Sequence, residues 1–362
     1  MKPKSLSLRL LLLFTVAALL AAACGGGDDA ADTDADASEQ ATESAEDAES
    51  GEEVDAPAVE EGSGESSADG FPLTFTNCGM EFTIESPPQR VMLMEAAAPS
   101  LLFSAGAMDR VIARIEDFPE EYYTAEELAV LNDIPALIAE ATSTGGVEVS
   151  VEEIISFEPD LVIGYDTATI THDSLGDVGI QLYVMPPFCD NPPTPSFTSI
   201  VDEVRFYGTL FGTSDIANAN ADTLESLVAA AADAPIADGK TAAALYVSSD
   251  GSAIYAYSSL GMVHPLMVAL GMDNVFAELS ERVPEVSIEE VIGRNPEILV
   301  LLYDDTGLTP EQISALVTDL PGADSIAAVD DGAVYPLLFN FAEPPTPLVV
   351  DGLSELSDQI TQ

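Results

Sequence analysis

The stretch VSVEEIISFEPDLVI, from Val149 to Ile163, returns almost unchanged as VSIEEVIGRNPEILV, from Val286 to Val300. Six of the fifteen positions are identical, and most of the rest exchange one branched apolar residue for another. Both copies carry the same local instructions. Ser150 and Ser287 precede an apolar-periodic helix and are followed three places on by Glu153 and Glu290, the spacing of a capping box. Val151, Ile154 and Ile155 form the apolar face of one helix, and Ile288, Val291 and Ile292 that of the other. Pro159 and Pro296 stop the helices, and short apolar runs typical of buried strands begin directly after them. A chain that writes capped helix, stop and strand twice builds the same α/β unit twice.

A second pair of motifs keeps the same order. MDRVIA (108–113) and MDNVFA (272–277) each follow a helical stretch and each precede one copy of the long repeat. The first half carries extra residues around Glu116 to Gly145, a loop-helix insertion that holds Tyr122 and Tyr123. Around these motifs, FPLTFTN and MEFTI flank Cys78-Gly79 as a hairpin. RVMLM (90–94), VIARI (111–115), DLVIGY (160–165) and IQLYVM (180–185) read as buried parallel strands with helices between them. Residues 197–212 and 215–234 show helical periodicity and interrupt the alternation. It resumes with TAAALYV (241–247), EILVLLY (297–303) and AVYPLL (333–338). The fold class is α/β: two similar lobes joined by helix.

The first residues are a different object. Lys2, Lys4 and Arg9 precede an unbroken apolar run from Leu10 to Ala23, the layout of an export signal and short for a membrane span. LLAAAC resembles the end of a bacterial lipoprotein signal, in which Cys24 becomes the lipidated first residue; Ala21 stands where that pattern prefers leucine. With Cys24 carrying lipid, Cys78 and Cys189 remain as a disulfide pair in an oxidising compartment, the alternative being two buried thiols. Residues 24–69 hold seventeen Asp and Glu and no Lys, Arg or aromatic residue. Such a segment cannot bury enough apolar surface to offset its ordering entropy, and it reads as a disordered acidic tether spanning roughly 40 Å.

The remainder keeps a net charge of about −40. That excludes nucleic acid as a partner, since a phosphate backbone needs a basic footprint. Enzyme signatures are missing too: HExxH, GxSxG, the P-loop and CxxC do not occur. The expectation is a binding protein, not an enzyme.

FTNCG (75–79), PPQRVMLM (87–94), GAMDRVIA (106–113), both fifteen-residue units, LYVMPPFC (182–189) and YGTLFG (207–212) carry a resemblance in their order and spacing. The chain resembles a substrate-binding lipoprotein of a bacterial ABC importer, of the family that carries iron–siderophores, haem and cobalamin. The resemblance implies two α/β lobes joined by one long rigid helix, with the ligand in the cleft between them. It implies delivery to an ABC permease dimer with a cytoplasmic ATPase, and residence as a monomer on the outer face of the cytoplasmic membrane, anchored through Cys24. The corresponding boundaries are a signal over 1–23, the tether over 24–69, an N-terminal lobe over 70–214, a linking helix over 215–237 and a C-terminal lobe over 238–362. In the family a glutamate on each lobe, seven places before the repeat's proline, docks on permease arginines; here these are Glu152 and Glu289. Read alone, each is a favourable acid at a helix N-terminus.

Ligands of open α/β sheets lie beyond the carboxyl ends of the strands. That rule selects Glu95, Arg114, Tyr165, Ser248 and Tyr303, with Tyr257 and His264 opening a helix of the second lobe and Arg282 in the loop before the second repeat. Arg114 and Tyr165 rank first. Polyanionic ferric catecholates call for an arginine cluster, and only Arg114, Arg205 and Arg282 are placed to contribute. The expected cargo is therefore a ferric hydroxamate-type siderophore, with no intrinsic cofactor or metal. Haem, cobalamin and a bare zinc or manganese ion are the alternatives.

Overall fold

The structure is a computed structural model that describes residues 70–114, 119–137, 140–141, 147–248, 251–305 and 307–362. The export signal, Cys24 and the acidic segment lie outside the described residues.

The first lobe opens with β1 (Leu73–Asn77) and β2 (Met80–Ile84), paired antiparallel across the two-residue turn Cys78-Gly79. Both turn residues take positive φ, 47° and 81°, which gives the turn a twist that matches the strands it joins. Then follow β3 (Val91–Leu93), α1 (Ala98–Ala105), β4 (Val111–Arg114), α2 (Ala125–Asp133), β5 (Glu140–Ala141), β6 (Val147–Glu148), α3 (Val151–Ser156), β7 (Leu161–Gly164), α4 (His172–Gly176) and β8 (Gln181–Val184). A four-stranded sheet runs β4-β3-β7-β8 with every pairing parallel. Its central strands are buried on both faces, which is why they read as unbroken apolar runs.

Two helices leave this sheet: α5 (Phe197–Phe211) and α6 (Ser214–Asp233). Gly212 ends α5 in the left-handed conformation at φ 70°, and the helices fold back on each other. Gly208 lies so close under Ala217 that any β-carbon would collide with it.

The second lobe contains β9 (Lys240–Val247), β10 (Ile254–Ala256), α7 (Val263–Ala269), β11 (Met272–Asn274), β12 (Glu285–Val286), α8 (Ile288–Arg294), β13 (Ile298–Tyr303), α9 (Pro310–Thr318), α10 (Ala327–Asp330), β14 (Val334–Leu338) and α11 (Leu348–Thr361). Its parallel path, β11-β9-β13-β14, repeats β4-β3-β7-β8 strand for strand. The sequence repeat is thus α3–β7 in one lobe and α8–β13 in the other. Beyond this path the lobes differ. β10 pairs antiparallel with the second half of β9 and carries β12 at the sheet edge.

Alternate residues of the strands feed different cores. Met92, Val162 and Leu182 pack outward with Ile154 of α3 and Leu175 of α4. Leu93, Ile163 and Tyr183 belong to a larger core that runs through α1, α5 and α6 into the second lobe at Leu266, Val300 and Leu353.

Two readings of the repeat need correction. The α3 cap is a full box: Ser150 Oγ accepts from Glu153 N and the Glu153 carboxylate accepts from Ser150 N, both at 3.2 Å. In α8 only the serine half forms, at 3.2 Å from Glu290 N. The Glu290 carboxylate turns instead to Arg294 one helical turn on, at 3.0 Å, because a cation competes better for it than one backbone amide. Ile155 is also 38% exposed rather than part of the apolar face.

Candidate functional site

A cavity of about 780 Å³ opens where the two lobes meet, and most of its lining is apolar. Its first wall is the β1–β2 turn, at Asn77, Cys78 and Gly79. Asn77 positions this turn by using its side-chain amide like a strand residue: Nδ2 donates to the Val184 carbonyl at 2.7 Å and Oδ1 accepts from Val184 N at 2.9 Å. The Cys78–Cys189 disulfide fastens the same turn to the loop after β8, with Cα atoms 5.2 Å apart across a sequence separation of 111. That loop, PPFCDNPPTP, forms the second wall through Pro186, Pro187, Pro192, Pro193 and Pro195; proline fixes φ and makes the wall stiff. The third wall is one face of α5, at Ser199, Asp202, Glu203 and Phe206. Leu260, Arg282, Glu343 and Pro345 close the cavity from the second lobe.

Two of the carboxyl groups that line the cavity are shifted by burial. The Tyr183 hydroxyl donates to Glu203 Oε1 at 2.7 Å. Burial pushes Glu203 up to about 7, with the Tyr183 hydrogen bond opposing the shift. On the other lobe Glu343 accepts from Met262 N at 2.6 Å and from Arg282 Nη1 at 3.1 Å. Burial pushes it up to about 7 as well, against the charge of Arg282 and its backbone donors. The Arg282 side chain stays half exposed, at 53%.

Among the described residues, Arg282 is the one cationic side chain lining the cavity. Arg205 is held by Asp222 at 2.9 Å and Glu225 at 3.0 Å, both on α6. Arg90 spans to the Phe157 and Glu158 carbonyls, Arg110 to Asp109 and Gln89, Lys240 to Glu297, and Arg294 to Glu278 and Glu290.

The other residues selected from the sequence fall elsewhere. Arg114 is buried at the end of β4, its Nε 3.4 Å from the Leu131 carbonyl. Tyr165 packs edge-on against Phe188, ring centroids 5.6 Å apart. Tyr257 is buried and does not line the cavity, its phenol raised first by burial and then by the charge of Glu343. His264 faces Asn274 at 3.5 Å, and burial lowers its pKa. Ser248 Oγ accepts from Ala253 N at 3.0 Å within its own turn. Glu95 accepts from Ala97 N at 2.7 Å and lies with Tyr303 in the electrostatic surroundings of Tyr122. Glu152 and Glu289 are both exposed at the second positions of α3 and α8.

Sequence reasoning missed Glu203, Glu343 and Tyr183, and saw Tyr122 only as part of the insertion. Tyr122, from the insertion, meets the second lobe: its hydroxyl accepts from Asn340 N at 2.9 Å and its ring stands on Phe341 at 4.9 Å. Glu343 carried a usable signal, an acid alone in the apolar, proline-rich stretch FAEPPTP. Glu203 carried none, because its burial depends on the hairpin that packs over α5.

A family model described as periplasmic binding protein matches residues 117–339. A solved structure from Saccharomonospora viridis, titled as an ABC-type Fe3+-hydroxamate transport system, is 38% identical, with a TM-score of 0.73 over 81% of this chain and 100% of that one. A cobalamin-binding protein of Halobacterium salinarum is 23% identical over 299 residues, 80% of this chain and 74% of that protein. The periplasmic vitamin B12 binding protein of Vibrio cholerae, 18% identical with a TM-score of 0.55 over 76% of this chain and 97% of that one, shares the fold.

Proposed function

The chain belongs to the periplasmic binding protein family, and on that premise we propose that it captures a ferric hydroxamate chelate outside the cytoplasm and delivers it to an ABC permease. The observation that carries the ligand class is the 38% identity to the Saccharomonospora viridis protein over that protein's whole length. The cavity chemistry agrees with it. A space of about 780 Å³ is in the range that encloses a ligand of chelate size. A single arginine beside four acids, Asp190, Asp202, Glu203 and Glu343, opposes a polyanionic catecholate and accepts a neutral or cationic chelate.

In this reading Cys24 carries the lipid anchor, residues 24–69 are the tether, and residues 70–214 and 238–362 are lobes linked by residues 215–237, where α6 ends at Asp233 rather than running on to 237. Glu152 and Glu289 dock on the two permease subunits. Among the described residues, no helix is long and apolar enough to cross a membrane. The second reading is cobalamin, favoured by the Halobacterium salinarum relative.

Calorimetric titration with a ferric trishydroxamate, a ferric catecholate, haem and cobalamin separates these. Tightest binding of the trishydroxamate is expected. A preference for any of the other three overturns the ligand class while leaving the transport role standing.

A further inference from the structure

We infer that the transported chelate carries a primary ammonium group, and that Glu203 receives it on the first-lobe wall of the cavity. The inference rests on the proposed ligand class and on the cavity being where the chelate binds.

Glu203 and Glu343 are not equivalent. Glu343 has both oxygens engaged, one by Met262 N at 2.6 Å and one by Arg282 at 3.1 Å. Among the described residues, the Glu203 carboxylate has one hydrogen-bond donor, the Tyr183 hydroxyl at 2.7 Å. A carboxylate offers about four acceptor sites, so most of its capacity is unused. Its own helix supplies no counter-charge, since Arg205 is held by Asp222 and Glu225. Yet Glu203 keeps part of its surface open, and that residue lines the cavity.

Three aromatic rings surround this wall. Phe206 packs against Phe75 at 5.1 Å and against Tyr183 at 5.4 Å, and Phe75 lies 6.1 Å from Tyr183. All three line the cavity beside Glu203. Ring faces attract a cation through their quadrupoles, most strongly where water is excluded. A carboxylate in a cavity lined by these rings is matched to an ammonium group, which brings three donors and a full charge. The second-lobe wall differs: its half-exposed Arg282, paired with Glu343, still turns donors toward oxygen-rich groups. The two walls therefore orient the chelate, amine end toward Glu203 and hydroxamate oxygens toward Arg282.

The test uses the full chain with two probes: the ferric complex of a linear trishydroxamate ending in a primary amine, and the same complex with that amine acetylated. Calorimetry on the wild type should give a preference of about tenfold or more for the amine, the scale of one charge-assisted contact with ring support. Glu203→Gln should reduce that preference to about threefold or less, with a melting curve recorded to verify folding. Equal wild-type affinities overturn the inference without any variant, and so does a preference that survives in Glu203→Gln; either leaves the hydroxamate reading intact. Binding of neither probe, with haem or cobalamin bound instead, removes the ligand class and the inference with it.

Discussion

The two lobes share one scaffold and differ in what is attached to it. Strand order and the serine-capped helix before β7 and β13 are the same in β4-β3-β7-β8 and β11-β9-β13-β14. The first lobe places its extra chain outside its sheet, in the β1–β2 hairpin, α2 and the separate β5–β6 ribbon. The second lobe builds its extra strands, β10 and β12, into the sheet itself. The difference assigns labour. The hairpin and insertion supply the cavity wall and the Tyr122 contact, while the second lobe contributes Arg282 and Glu343 from loops on a wider, more continuous sheet. Elements outside a sheet need other fastenings, and that sets what should break first.

The largest effect is expected at the disulfide, which only the first lobe has. Closing 111 residues of sequence is worth about 4–5 kcal/mol in the chain-entropy model. Cys78→Ser with Cys189→Ser should lower the melting temperature under oxidising conditions and match the reduced wild type. Hydrogen exchange should quicken in β1 and β2 while β9 and β13 stay protected. Equal loss in both lobes would mean that the staple supports the whole fold rather than one wall.

A smaller effect separates the lobes through pH. Burial raises both Glu203 and Glu343 to about 7. An acid with a raised pKa binds its proton more tightly in the folded state, so stability falls as pH rises through the ordinary carboxylate range up to about 7 and is lowest above it. The two histidines oppose this below 6.5, since burial lowers their pKa. The window to read is therefore pH 8 down to about 6.5, where the melting temperature should rise. Glu203→Gln should flatten that rise. Glu343→Gln should flatten it too but lower the plateau, because Arg282 loses its partner at 3.1 Å. A flat wild-type profile would mean that both carboxyls reach water.

How far the sequence carries the fold depends on whether the cause is local. Ser150 with Glu153, Pro159 and the run LVIG announce α3 and β7 because capping, helix termination and strand burial are written within a few residues. The three residues of β10 are hidden in SSDGSAIYAYSS, too short for any periodicity, and join the sheet only because β9 runs on past β11. Of the residues named from the sequence, Cys78, Cys189 and Arg282 line the cavity. Glu203 was invisible: a single acid on an amphipathic helix is ordinarily solvent-facing, and its partner, the Tyr183 hydroxyl at 2.7 Å, comes from a strand 20 residues away. Tyr122 was seen in the insertion, but its partner lies at Asn340, 218 residues away.

The caps sharpen the comparison at the level of about 0.5–2 kcal/mol. Ser150→Ala and Ser287→Ala should cost similar amounts within that range, since both serines accept from the third amide. The glutamates should part company. Glu153→Ala removes a capping contact and should cost the same in low and high salt. Glu290→Ala removes an exposed ion pair with Arg294, worth about 0.3–0.5 kcal/mol, and its cost should vanish in molar salt. Thermal melts of the two variants at two ionic strengths check this; identical salt dependence would make the caps equivalent after all.

The smallest effect on the folded protein is expected where the lobes are most alike. Glu152 and Glu289 are exposed one place after the helix start in both repeats. Their backbones are fixed by the capped turns behind them, and neither carboxylate has a packing role to lose. If they dock on two permease subunits related by a two-fold axis, the duplication of the unit is what supplies each subunit with an equivalent contact. Interfacial charges of this kind set orientation and association rate, and become worth several kcal/mol only where the interface desolvates them. Glu152→Ala and Glu289→Ala, alone and together, should therefore leave chelate affinity and melting temperature unchanged. Uptake into cells and binding to the reconstituted permease should fall with each substitution and fall furthest in the pair. The steepest loss is expected at low ionic strength, where unscreened charges contribute most. Normal import by the double variant would show that the repeated acids serve only the helix dipoles, and that the two lobes resemble each other for reasons of architecture alone.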